Sequence, residues 1–335
     1  WLAGNVMARG ANNGLNAVPP LDGVRETPIL RADGTVLNKP GYDADTAMLL
    51  LERGCYPSIP DSPTQNDAIA SAELLKEAFY DFPFESEADR SAALASVLTF
   101  FARPAYAGPT PLFFVEANKA GTGKGLLADA ITQITLGRPV ERQAPSEEEE
   151  EVRKRITSIM LSGAPVGFID NIDSTFGGPS LDAVITAQVW TDRILGGNGM
   201  CTLQNRTVWI CTGNNPEFRG DMSRRICRIR MVTPEQNPEL RQNYKHERLI
   251  DWIKQVRPQL VRAALTILRA YQVAGQPKQS MRSWGSFEGW SDYVRSALVF
   301  ANCVDPAPES WRLEEMTPQV SGERMLVMGL KELLQ

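Results

Sequence analysis

The segment Ala120-Gly121-Thr122-Gly123-Lys124-Gly125 has the residue types needed to hold a chain of phosphates. Its glycines let the backbone curl so that successive N–H groups converge on phosphate oxygens, and Lys124 adds a cation at the end of the loop. The apolar run Leu112-Phe113-Phe114-Val115 just before it reads as a buried strand, and the segment from Lys124 to about Leu136 reads as a helix. That order aims the positive N-terminal end of a helix at the anion. A nucleotide is therefore the expected ligand, contacted by Ala120, Gly121, Thr122, Gly123, Lys124, Gly125 and Leu126. Two positions depart from the GxxxxGK[ST] pattern. Asn118 stands at the first glycine, and Gly125 stands where a Ser or Thr hydroxyl would bind Mg²⁺.

Three further segments carry related chemistry. In Gly167-Phe168-Ile169-Asp170-Asn171-Ile172-Asp173 an apolar strand delivers Asp170 to a sheet edge, where its carboxylate can hold Mg²⁺. The next residue, Asn171, can orient a water but cannot take its proton, which leaves Asp173 or Glu116 for that part. A bare strand-to-loop turn capped by Asp170 is the plainer alternative. In Val208-Trp209-Ile210-Cys211-Thr212-Gly213-Asn214-Asn215-Pro216 a second apolar strand delivers Asn214, which suits a residue holding water near a γ-phosphate, although Asn-Asn-Pro is also an ordinary turn. Lys124, Asp170 and Asn214 lie 46 and 44 residues apart, room for one strand–helix excursion each. Finally, seven arginines and only two acids fall between Arg193 and Arg230, in a chain of net charge −5. The cluster reads either as a solvated basic strand edge or as the place from which Arg224 or Arg225 enters a neighbouring subunit's site to stabilise transition-state charge.

Positioning these residues requires strands alternating with helices, hence a parallel sheet covered on both faces. Val166–Ile169 and Thr207–Cys211 supply further strands. Ser146 with Glu149 looks like a capping box for a helix from about residue 147 to 161, along which Glu149–Arg153, Glu150–Lys154 and Glu151–Arg155 are favourable pairs. Upstream, two amphipathic helices present Ala68, Ala72, Leu75 and Phe79, and Leu94, Val97, Leu98 and Phe101; Ser86 and Asp89 start the second. Residues before 64 are rich in Gly, Pro, Asn and Asp, with an Asp33-Gly34 hairpin signal. Beyond about residue 233 the pattern is helical. Leu249, Ile253 and Val256 form one stripe, Val261, Ala264, Leu265 and Leu268 another, and Val294, Ala297, Leu298 and Ala301 a third.

At 335 residues, 43% apolar and 22% charged, the composition is that of a folded globular protein rather than a disordered chain. Five cysteines without a CxxC pair, and a single histidine, argue against a disulfide framework or a zinc site and for a reducing cytoplasm. The acidic net charge confines any nucleic-acid contact to a local patch. No apolar run is long enough to suggest a membrane span. A start at Trp1 without a signal pattern suggests part of a longer protein.

In their order and compact spacing, residues 120–125, 167–173, 208–216 and Arg224/Arg225 resemble motifs A, B, C and the arginine finger of superfamily 3 helicases, especially primase-helicases of phages, plasmids and large DNA viruses. The resemblance covers about Pro111 to Arg230. It implies an α/β fold with an AAA+-like P-loop NTPase core at 107–233, an irregular extension at 1–63, a helical region at 64–106 and a helical lid or ring-packing region at 234–335. It further implies a hexameric ring of identical subunits hydrolysing ATP with Mg²⁺ and acting on single-stranded or forked DNA. Lys124 would bind phosphate, Asp170 the metal, Asn214 the γ-phosphate or lytic water, and Arg225 or Arg224 would act in trans. The stretch from Trp190 to Met200 corresponds to a hairpin that grips DNA in the family's central pore, with Arg193, Asn198 and Arg206 as its contacts here, although the lysine often found at the tip is missing. Arg295 reads as a surface residue ahead of a sensor, and Trp284, Phe287 and Trp290 as lid packing. The runner-up is a nucleotide-switched loader or scaffold with little turnover, which Gly125 and Asn171 favour. A monomeric small-molecule phosphotransferase is disfavoured by the arginine cluster.

Overall fold

The computed structural model describes residues 19–51, 53–194 and 199–307. Asn198 and most of the expected hairpin tip lie outside them.

The centre is a parallel sheet of β6 (Leu112–Ala117), β7 (Val166–Ile172), β10 (Val208–Gly213) and β11 (Ile226–Met231), in the order β11-β6-β10-β7. Every residue of β6 and β10 is buried, as continuous apolar runs in a sheet covered on both faces should be. Gln143 extends the sheet by one bridge beside β7, its N–H donating to Phe168 O and its carbonyl accepting from Asp170 N, both at 2.9 Å.

Helix α1 (Gln65–Glu77) starts at a capping box in which Thr64 accepts from Asp67 N while Asp67 accepts from Thr64 N. Helix α2 (Glu87–Ala102) is capped by Ser86, as the sequence indicates. It is not amphipathic in place. Nearly all its residues are buried, because β11, α3 (Lys124–Leu136) and α6 (Leu249–Val273) enclose it. The expected stripes at 249–256 and 261–268 join into that single helix α6, which continues through Pro258. Arg257 locks it in place by donating to the carbonyls of Gln133, Ile134 and Thr135 at the C-terminal end of α3, and to Thr27 Oγ and Tyr56 OH. Cations are favoured at that end of a helix, where carbonyls lack partners.

Helix α4 (Glu149–Leu161) departs from the expected capping box. It has no side-chain cap, and Glu149 Oε1 instead accepts from Ser180 N at 2.6 Å, at the start of α5 (Pro179–Thr186). Glu150–Lys154 and Glu151–Arg155 pair as expected, each at 2.8 Å. Arg153 turns to Asp192 on the antiparallel hairpin of β8 (Val189–Arg193) and β9 (Met200–Gln204).

Before the helices, β2 (Ile29–Leu30) and β3 (Val36–Leu37) form a hairpin around Asp33-Gly34, and β1 (Gly23–Arg25), β5 (Met48–Leu50) and β4 (Gly41–Asp43) form a small sheet. At the C-terminal side Trp284, Phe287 and Trp290 pack edge to face with centroids 5.4 Å apart, and Trp290 Nε1 donates to Thr99 Oγ on α2. Arg295 is no surface residue. It is 1% exposed and forks onto Asp305 at 2.5 and 2.6 Å.

One close approach fixes the strand pair β7–β10. A Cβ on Gly167 would fall 2.3 Å from Trp209 Cζ3, and the ring is buried with nowhere to move. Gly167→Ala is expected to cost about 1–3 kcal/mol through overpacking, read as a lower urea midpoint with unchanged slope. Trp209→Leu in the same chain should recover part of that loss.

Candidate functional site

The C-terminal ends of the four parallel strands open onto one edge, the place where open α/β sheets bind ligands. The loop after β6 arrives there with Gly121 at φ +76° and Gly123 at φ +99°, left-handed backbone that the missing Cβ makes accessible. Gly123 caps α3, so Lys124 is its first residue. Thr122 Oγ donates to Lys119 O at 2.8 Å and closes the loop on itself. Asn118 has its own work. Its amide exchanges two hydrogen bonds with the backbone of Thr233, at 3.0 and 3.1 Å, and clamps the loop to the end of β11.

Lys124 Nζ donates to Asn214 Oδ1 at 2.6 Å. The lysine is half-buried, and that burial lowers its pKa while the nearby Asp170 carboxylate pulls it back up. Asn214 is held through its backbone N–H to Ile172 O at 3.0 Å. The structure thus brings together three residues that the sequence spacing singles out, Asp170 and Asn214 at the ends of adjacent strands and Lys124 at the start of α3. Asp170 is fixed at both oxygens. Thr212 Oγ donates to Oδ1 while accepting from Asn171 N, and Arg142 Nη1 donates to Oδ2 at 2.8 Å. Burial opposes ionisation of Asp170, but those hydrogen bonds outweigh it and its pKa is lowered.

Thr212, Arg142 and Asp129, the second partner of Arg142 at 2.6 Å, escape the sequence reading. Thr212 had a signal, since it stands on β10 two residues before Asn214. Arg142 had none, because only the bridge at Gln143 brings its irregular segment beside β7.

Other expected residues lie elsewhere. Glu116 is buried and paired with Arg228, with Arg230 at 3.6 Å, so it has no access to the loop. Asp173 is exposed beyond β7. Arg224 and Arg225 precede β11, at the opposite edge of the sheet from Lys124. Arg224 pairs with Asp221, and Arg225 with Asp182 and Asp221. Arg193 ends β8 at the far end of the hairpin. Arg206 follows β9 at its base and is held by Asp22 at 3.7 Å, so the two arginines are not neighbours.

A cavity of about 430 Å³ adjoins the loop, bordered by Gly121, Thr122, Gly123 and Leu126 on one side and by Tyr80, Phe82 and Tyr244 on the other. Glu239 reaches over the loop, where a Cβ on Gly121 would lie 2.7 Å from its Oε2.

No protein-family model and no curated protein matches the chain. Among solved structures it is similar to the apo A form of the C-terminal region of NrS-1, at 14% identity over 65% of this chain and 49% of that one, with a TM-score of 0.41. A structure of residues 305–718 of the same region gives 12% identity over 64% of this chain and 48% of that one, with a TM-score of 0.38. The chain therefore spans about half of the structures it matches, and similarity at this level does not specify its activity. No helix among the described residues is long and apolar enough to cross a membrane.

The Asp170 carboxylate should titrate below the ordinary value of about 3.9. Stability from its ionised form is present above that unfolded value and is lost as pH falls through the lower folded one. Carbon-13 titration of Asp-labelled protein should show Thr212→Val moving this pKa upward. An unmoved value would mean that Thr212 does not hold the carboxylate.

Proposed function

We propose that this chain is the ATP-binding motor domain of a DNA helicase or translocase of the superfamily 3 type, an AAA+-like P-loop core acting in a hexameric ring. The observation that carries the reading is the contact of Lys124 Nζ with Asn214 Oδ1 at 2.6 Å, beside Asp170 on the next strand. A glycine loop alone is a common turn. A loop lysine meeting a strand-end asparagine next to a strand-end carboxylate is what phosphate sensing requires. In this reading the backbone of 120–126 wraps the triphosphate and Lys124 leaves Asn214 for the β- and γ-phosphates. Asn214 is then released to face the γ-phosphate or a water. The cavity beside the loop, with tyrosine and phenylalanine walls, has the size and lining for a nucleobase and sugar.

Magnesium fits the donor set poorly. Residue 125 has no hydroxyl, both oxygens of Asp170 have donors, and no group of three or more metal-ligating side chains occurs among the described residues. What this chain's own residues supply is phosphate binding by the loop and Lys124, and a polarisable contact at Asn214.

The six residues of β11 span about 20 Å, so Arg224 and Arg225 are too far to serve their own loop. That distance supports a role at a neighbouring subunit. The β8–β9 hairpin is anchored on one face by Trp190 and Asp192, which bond Thr157 at 3.0 and 2.5 Å. Its other face exposes Thr191, Arg193 and Thr202, which supports contact with a DNA backbone.

Asn171 after Asp170, together with the capture of Glu116 by Arg228, favours a second reading, a nucleotide-switched assembly module with little turnover. Lys124→Ala should abolish ATP binding under either reading. Single-stranded DNA should accelerate hydrolysis by the wild type, and subunits of Lys124→Ala mixed with Arg225→Ala should regain turnover. Turnover indifferent to every nucleic acid would sink the helicase reading, and ATP-driven assembly without turnover would select the second. Glu239→Gln removes an acid from over the loop and should tighten ATP binding roughly two- to fivefold, the scale of ~0.5–1 kcal/mol for an exposed charge.

A further inference from the structure

Next to the loop, the guanidinium of Arg142 fills the place that the P-loop pattern gives to a metal ion. Nη1 donates to Asp170 Oδ2 at 2.8 Å, Nη2 donates to Asp129 Oδ1 at 2.6 Å, and Cζ lies 5.3 Å from the centroid of the Phe168 ring. A Cβ on Gly125 would fall 3.2 Å from Nη1, closer than a side chain comfortably packs. The two protein groups that would hold Mg²⁺ in such a loop are a hydroxyl at position 125 and the carboxylate of Asp170. Here the first is missing, and the second is turned to Arg142. The two departures have one physical account. Gly125 leaves room for the guanidinium, and the guanidinium answers the charge of Asp170.

The arginine is also well placed to stay. The hydrogen bonds of Gln143 with Phe168 O and Asp170 N, each 2.9 Å, set its backbone beside β7. Its two carboxylate partners outweigh partial burial and raise its pKa, so it is cationic throughout the ordinary pH range. A planar fork of N–H donors with Lys124 close by is chemistry suited to phosphate oxygens.

We infer that Arg142 stands in for the divalent cation, so that this site takes a nucleoside triphosphate without bound metal. The inference rests on the nucleotide-binding reading above. The site then needs no metal to bring a triphosphate beside the Asp170 carboxylate, because Arg142 already screens that charge. Its N–H groups not taken by carboxylates would donate to phosphate oxygens. Arg142→Lys keeps the charge but not the fork, and should recover only part of the affinity.

The test is calorimetric titration of the chain with ATP, in EDTA and in magnesium chloride. Wild-type affinity should differ by less than about tenfold between the two conditions. Arg142→Ala should weaken binding in EDTA by more than about tenfold. The double variant Gly125→Ser with Arg142→Ala should bind ATP more tightly in magnesium than in EDTA. Tight wild-type binding in magnesium that disappears in EDTA would overturn the inference, since Arg142 would then be a plug that the metal displaces. That result would leave the nucleotide-binding reading standing. Absence of ATP binding by the wild type in both buffers would instead defeat that reading, and this inference with it. Because the decisive comparison uses the unmutated chain, a misfolded variant does not obscure it.

Discussion

Strands β6 and β10 are buried on both faces, and a strand so placed has nowhere to put a polar side chain except at its ends. Backbone donors and acceptors in the middle satisfy one another in the ladder, and side chains there must be apolar. The sheet therefore drives its chemistry to the edges. Asp170, Thr212 and Asn214 all sit where a strand gives out, and Lys124 starts the helix that follows the neighbouring strand. The exception tests the rule. Arg228 lies in the middle of β11 and is 3% exposed, and it is tolerated because Glu116 on the adjacent strand pairs with it. Leaving either partner alone in that interior would strand an unpaired charge, which typically costs about 3–5 kcal/mol.

An edge site is only as well defined as the helices behind it. The loop from Asn118 to Gly123 is held at one end by the Asn118–Thr233 clamp and at the other by α3, whose far terminus is gripped by Arg257. One arginine thus links the end of α3 to α6 and, through Thr27 and Tyr56, to the N-terminal segment. Gly137 makes this possible. It ends α3 at φ +71°, and a Cβ there would fall 2.7 Å from the guanidinium carbon. The N-terminal segment, irregular by composition, is therefore tied to the helix that carries Lys124.

The sequence displayed what depends on periodicity and on short local rules. The apolar runs at 112, 166 and 208, the helix from Lys124 and the Ser86 cap are all features in which a residue's neighbours decide its state. It did not display what depends on distant partners. Glu149 has the right spacing for a capping box with Ser146, yet the start of α5, 31 residues away, offers Ser180 N–H, and the carboxylate goes there. Arg153 likewise forgoes Glu149 for Asp192, which is buried and needs a cation more than an exposed glutamate does. Arg295 looked like a surface residue because Asp305, its partner, stands ten positions on with no helical repeat to join them. At the site the same limit hid Arg142.

The run of arginines between 193 and 230 looks like a basic surface when read along the chain, because only two acids fall within it. In three dimensions acids from other segments reach it. Arg228 takes Glu116, Arg230 lies by Glu85, Arg225 takes Asp182 and Arg206 lies by Asp22. Most of the cluster is thus paired with acids from elsewhere in the chain, which is how a chain of net charge −5 can carry it without a strong positive field. An anion approaching the sheet edge meets a different set: the loop amides, Lys124 and the guanidinium of Arg142. Of these the loop amides and Lys124 belong to one recognisable motif, and the second cation comes from a segment with no motif at all.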